Sequence, residues 1–218
     1  MEGSIPDGLD GSSLSLLEEL RLHSNLLTGT FPDFAECHSL KTMHIAKNLL
    51  ESDSLDGVLN LHLPPNLEML DISANSLLKG SIPNETGKQV SKLTHLGTSN
   101  CQIFGTIPSE IGLISGLQTL DLSMNDLIGT IPVELFELRQ LQSINLSNND
   151  LTGTLVSEIA GINTLKELNL ANNLLTGSIS EVFTTLVDHL GTKNEEYVFL
   201  LSKLRAFFLS MILSRLIL

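Results

Sequence analysis

The chain has 218 residues, of which 42% are hydrophobic but only 4% aromatic, with no tryptophan, two cysteines and a formal net charge of −13. So acidic a surface repels phosphate backbones, which excludes nucleic acid as a partner, and the length allows one compact domain or one short solenoid. A leucine-heavy, aromatic-poor composition suits small branched side chains stacked in register.

The opening residues carry Gly3, Ile5 and Pro6, a Gly-x-Ile-Pro spacing that returns later, so the chain begins in the tail of a repeat. No positively charged, then apolar, leader stands ahead of it, and a piece of a longer solenoid is expected. A first full repeat then reads Leu17, Leu20, Leu22, Asn25, Leu27, Gly29, Phe31, Pro32. The second reads Leu40, Met43, Ile45, Asn48, Leu50 and loses the pattern through 51–60. The third has Leu67, Leu70, Ile72, Asn75, Leu77 and, after one extra residue at Lys79, Gly80, Ile82 and Pro83. The fourth has Leu93, Leu96, Thr98, Cys101, Ile103, Gly105, Ile107 and Pro108. Three units of 24 residues follow between Ile111 and Val182, with first leucines at Leu117, Leu141 and Leu165. That makes seven repeats, irregular in the front half and regular in the back half. A fixed period of this size means one supersecondary unit stacked on copies of itself, because a single unit cannot bury its apolar face.

Within a unit the spacing predicts local structure. Leu120 and Leu122, Ile144 and Leu146, and Leu168 and Leu170 alternate with polar residues, the period of a strand with one face buried. An asparagine follows at Asn25, Asn48, Asn75, Asn125, Asn149 and Asn173, with Cys101 in its place in the fourth repeat. A side-chain amide there can serve backbone groups left unpaired where each strand turns, so stacked copies form an internal ladder. Gly129, Gly153 and Gly177 suit a turn that needs unusual backbone angles. Beyond Val182 an eighth unit starts with Phe183 and Leu186 and fails where His189 and Thr192 replace leucines. Residues 1–186 therefore read as the solenoid and 187–218 as a polar break followed by an apolar helix. The apolar stretch 197–218 is long enough to span a membrane, but Lys203 and Arg205 make insertion costly. Folding back over the open end of the solenoid is the favoured reading. Membrane association and a foreign tail are the alternatives.

The pattern LxxLxxLxLxxNxLxGxIP resembles the plant-type leucine-rich repeat of receptor-like kinase and receptor-like protein ectodomains. The resemblance implies an α/β, right-handed solenoid with a parallel sheet on the concave side and irregular or 3₁₀ turns on the convex side. It also implies a non-catalytic module that binds a protein or peptide ligand on the concave face, at the cell surface. An intracellular repeat scaffold is the runner-up, because the paired cap cysteines usual in secreted members are lacking. Cys37 reads as a small core residue and, lying in a different repeat from Cys101, is not expected to bond to it.

On the face that binds partners in this family, the candidate ligand-binding residues are Arg21, His23, His44, Lys47, Asp71, His95, Asp121, Ser143, Asn145 and Asn169. His23 and His44 sit on neighbouring strands but two residues out of register, with no third ligand beside them, so no metal is expected. No nucleophile elbow, phosphate-cradling glycine loop or isolated acidic pair occurs, so neither catalytic residues nor a cofactor is expected. Thr30, Ser81, Thr106, Thr130, Thr154 and Ser178 form a hydroxyl column that, if flat, could bind carbohydrate or ice. Two N-x-S/T sequons begin at Asn84 and Asn145. The first falls on a convex loop, where a glycan is harmless, and the second points into the concave face.

Overall fold

The computed structural model describes residues 2–6, 15–31, 33–52, 63–154, 162 and 164–176. Each repeat contributes one three-residue strand: β2 (Glu19–Arg21), β4 (Thr42–His44), β6 (Met69–Asp71), β9 (His95–Gly97), β11 (Thr119–Asp121), β13 (Ser143–Asn145) and β15 (Glu167–Asn169). They lie side by side in chain order as one parallel seven-stranded sheet, a strand for each repeat read from the sequence. The register aligns the central apolar residues Leu20, Met43, Leu70, Leu96, Leu120, Ile144 and Leu168, all directed away from solvent. A three-residue strand has no stability of its own, so the sheet exists only because each copy buries its leucines against the next. The result is one continuous core, in which Leu70, Leu96, Leu120, Leu122 and Leu146 are fully buried.

Asparagines stitch the repeats together beneath this sheet. Asn149 donates through Nδ2 to Leu146 O in its own repeat (3.1 Å) and to Leu122 O in the preceding one (3.0 Å). Its Oδ1 accepts the Leu127 N–H at 3.0 Å. Asn48, Asn75, Asn125 and Asn173 make equivalent bonds and are all buried, while Asn25, at the β2 end, is half-buried. The residue before each ladder position takes left-handed backbone angles, from Ser24 and Lys47 through Ala74, Asn100 and Met124 to Asn148 and Asn172. That sharp turn brings the amide back under its own strand. Cys101 fills the fourth ladder position with a thiol that donates to Ile72 O at 3.3 Å.

Past the turn a second set of short strands forms. Here β1 (Glu2–Ser4) pairs with β3 (Leu26–Thr28), and β5 (Glu51–Ser52) with β7 (Leu77–Leu78). The strands β8 (Gly80–Ser81), β10 (Ile103–Thr106), β12 (Asp126–Thr130) and β14 (Asp150–Thr152) make a parallel four-stranded sheet. Two expectations are corrected here. The extra residue of the third repeat is not at Lys79 but before Leu78: Leu78 is fully buried, Leu77 is 50% exposed, and the Leu78 N–H closes a turn onto Asn75 O at 2.9 Å. Elsewhere the next asparagine's Oδ1 fixes the N–H two residues beyond the ladder position. Cys101 has no amide oxygen to do so, and the insertion falls there. The hydroxyl column is not a flat row either. Thr106 faces Ile128, and Thr130 faces Thr152, an offset of two residues per repeat. Half-exposed Phe104 and Ile128 interrupt the threonines, so the surface lacks the regular lattice of hydroxyls that ice or a sugar polymer needs.

Among the described residues the opposite side of the coils is irregular. It carries one turn of helix, α1 (Thr86–Gln89), and 3₁₀ turns at Ser109–Leu113 and Val133–Glu137, the last two opened by Pro108 and Pro132. A Cβ on Gly87 of α1 would collide with the Glu110 carbonyl, so glycine sets the closeness of these two coils. Both cysteines are buried and neither is in a disulfide. Among the described residues no helix is long and apolar enough to cross a membrane. The boundary at 186, the segment 187–218 and Ser178 lie outside the described residues.

Candidate functional site

Side chains on the solvent side of the long sheet fall into columns running across the strands. One column is Glu19, Thr42, Met69, His95, Thr119, Ser143 and Glu167, and the next is Arg21, His44, Asp71, Gly97, Asp121, Asn145 and Asn169. The register thus gathers nine of the ten sequence candidates onto this face or its margin. Lys47 is the exception. It holds the left-handed turn position (φ 59°) one residue before Asn48, past the end of β4, while Ala46 takes the strand place.

Many polar groups on this face are already committed to one another. Asp121 Oδ1 accepts from Ser123 N (3.0 Å) and Ser123 Oγ (2.6 Å), and Asn145 Oδ1 accepts in the same way from Ser147 N and Oγ. Asn145 Nδ2 reaches back to Ser123 Oγ (3.1 Å) and Asn169 Nδ2 to Ser147 Oγ (3.2 Å). Ser99 and Ser123 hydroxyls meet at 2.9 Å, and Ser143 Oγ donates to Glu167 at 3.2 Å. These bonds tie strand to strand and cap each strand exit two residues on, a local Asx geometry. The serines Ser73, Ser99, Ser123 and Ser147 form a column two places after Asp71, Gly97, Asp121 and Asn145.

At the β2 end the face is titratable. The His23 and His44 rings stack with centroids 4.0 Å apart and planes 17° from parallel. His44 Nε2 lies 3.1 Å from Asp71 Oδ2, and Arg21 pairs with Glu19 at 2.9 Å. The sequence reading found no third group beside the two histidines, but the register places Asp71 directly opposite His44. Burial holds the His44 pKa below its usual range. His23, Arg21 and His95 add to that lowering, and Asp71 opposes it. Stacked rings present faces rather than converging nitrogens. Among the described residues no group of three or more His, Cys, Asp or Glu is arranged to hold a metal ion.

From β6 onward the face dips into an open groove of about 750 Å³, reaching from Asp71 and Ser73 across His95, Gly97, Thr119 and Asp121 to Asn169 and Ala171. Its size lies within the range of small-molecule and peptide sites. Asp71, Asp121, Glu167 and Lys166 supply its charge.

A family model, Leucine Rich Repeat, matches residues 116–138, 140–162 and 164–186. Receptor-like protein 39 of Arabidopsis thaliana is 32% identical over 124 residues, which cover 57% of this chain and 14% of that protein. Receptor-like protein 41 of the same plant is 31% identical over 122 residues, covering 53% and 13%. The chain thus spans about a seventh of the length of these relatives. Among solved structures, the Arabidopsis receptor kinase HAESA in complex with the peptide hormone IDA and the co-receptor SERK1 superposes with a TM-score of 0.75 at 35% identity, over 85% of this chain and 30% of that one. The ectodomain of the receptor kinase GASSHO1/SCHENGEN3 with CASPARIAN STRIP INTEGRITY FACTOR 2 gives 0.73 at 35%, over 85% and 22%. The coils of this chain that turn on a left-handed residue and tie their neighbours with an asparagine amide are leucine-rich repeats, homologous to those of Arabidopsis receptor-like proteins and receptor kinase ectodomains.

Proposed function

We propose that the chain is a non-catalytic recognition module at a cell surface that binds an extended peptide or protein segment along the outward face of its long sheet. The observation that carries this reading is the groove from Asp71 to Ala171, open to solvent and lined mostly by polar side chains outside the core. The stacked coils are held by leucines and buried amides beneath the sheet, so the columns above it are free to vary with the ligand. Its solved neighbours include the HAESA ectodomain held with a peptide hormone, which supports the same assignment. A rigid, pre-formed face lowers the entropy lost on capture, since only the peptide must be ordered.

The test is selection of a random displayed peptide library against the immobilised chain. A consensus should emerge, and replacing Thr119 and Ser143 together by tryptophan, which blocks the groove without touching the core, should abolish it. Peptides that still bind the blocked variant would place recognition elsewhere on the molecule.

A further inference from the structure

Glycine stands once in the column that runs from Arg21 to Asn169, at Gly97 of β9. Its backbone does not call for glycine: Gly29, Gly105, Gly129 and Gly153 have positive φ, and Gly97 does not. What the missing side chain changes is the space above the strand. A Cβ at Gly97 would lie 2.9 Å from Asp71 Oδ1 and 3.2 Å from Ser73 Oγ, so the Asp71 carboxylate leans into the room glycine leaves. Asp71 and Asp121 hold the places on either side of Gly97, in register, with no side chain between them. Both are half-buried, and the gap is part of the groove floor.

Two carboxylates that border one open gap offer oxygens to a cationic side chain from both sides. Asp71 already takes His44 on its far side, but among the described residues the second oxygen of Asp121 is engaged by nothing. The column also has a direction. At the β2 end the column carries Arg21, which disfavours a cationic side chain there, and His44, which covers the far side of Asp71, while Asn145 and Asn169 beyond Asp121 are neutral. Within this column a basic side chain is therefore matched to a single place, while Glu167 in the neighbouring column already accepts from Ser143.

We propose that the outward sheet face selects an extended peptide with a lysine or arginine whose side chain seats over Gly97, between Asp71 and Asp121. The proposal rests on the peptide-binding reading of this face and adds the chemistry of the ligand. Arginine suits the seat best, because its planar fork can donate to both carboxylates at once.

Displayed peptides selected on the wild-type chain should show a lysine or arginine at one fixed position of the consensus. Asp121→Asn keeps the oxygen that accepts from Ser123, as Asn145 does in the same column, so the fold is retained while the charge is lost. It should lower affinity for the selected basic peptide about tenfold. Gly97→Leu keeps both carboxylates but covers the gap, and should lower it at least as much. A consensus without a basic position, or an unchanged affinity in both variants, overturns the proposal while leaving peptide binding intact. No consensus at all overturns the peptide-binding reading itself. Calorimetric titration with calcium chloride alone separates the remaining case. Tight calcium binding that Asp121→Asn abolishes, with no basic preference among peptides, would make the gap an inorganic cation seat and overturn the proposal as well.

Discussion

Thr98 places a hydroxyl where the other repeats carry Leu22, Ile45, Ile72, Leu122, Leu146 and Leu170, and its Oγ1 is fully buried without a hydrogen-bond partner. An unmade bond in the interior costs its desolvation without return. Thr98→Val keeps the shape and removes the hydroxyl, and should stabilise the chain by about 1–2 kcal/mol in urea unfolding. A loss of stability would mean that the hydroxyl has a partner. Three positions away, burial pushes the Cys101 thiol up to about 11 from an ordinary 9.0. The native state thus holds this proton more tightly than the unfolded chain does. Its contribution is complete below pH 9 and is lost as the pH rises from 9 to about 11, a fall of about 2–3 kcal/mol for a shift of this size. Cys101→Ala should lack that part of the alkaline slope when melting curves are compared across this range. His44 works in the opposite direction. Its lowered pKa means the fold prefers the neutral ring, so its contribution is present above pH 6.5 and lost as the pH falls.

A single repeat is a strand, a left-handed turn and an amide, and the amide carries the joint between coils. Asn149 serves two carbonyls in successive coils and an N–H in the preceding one, all inside the core. Asn149→Ala strands several buried backbone groups at once and should cost about 2–3 kcal/mol, read from the midpoint of denaturant unfolding. The loss should be smaller at Asn25, which is half-buried. A neutral result at Asn149 would mean the ladder does not hold the stack. The third and fourth repeats show the same logic from the other side. Where the ladder residue is a cysteine, the preceding coil takes an extra residue and the second sheet breaks between β7 and β8.

For the molecule as a whole, the two faces of the coil differ in what they tolerate. Asn84 is exposed in the turn before α1. Asn145 is half-buried, with its amide tied to Ser123 and Ser147 on the ligand face. In a secretory expression host, Asn84→Gln should remove a glycosidase-sensitive mobility shift, and Asn145→Gln should leave it unchanged. A glycan at Asn145 would instead fill the groove and contradict the binding assignment. The acidic charge of the chain acts at this scale too. On the outward face it is carried by Glu19, Asp71, Asp121 and Glu167, with Arg21 and Lys166 as cationic side chains there.

The repeat spacing by itself determined the coil, the number of strands in the long sheet and the identity of the ladder, because a strict period forces equivalent residues into equivalent places. It also singled out the face, since alternation across Leu120 and Leu122 leaves the intervening residue outward. What it could not decide were matters of distance between coils. The stacking of His23 on His44 joins residues two places apart in register, which a pattern of columns does not reveal. The burial of Leu78 rather than Leu77 follows from a next coil that offers a thiol in place of an amide oxygen, so that the Leu78 N–H turns onto Asn75 O in its own coil. Likewise position 97 reads as one more outward place of the face until its backbone angle and neighbours are known. Only then is it seen as an opening between two carboxylates, because the sequence gives the order of side chains and packing gives the space between them.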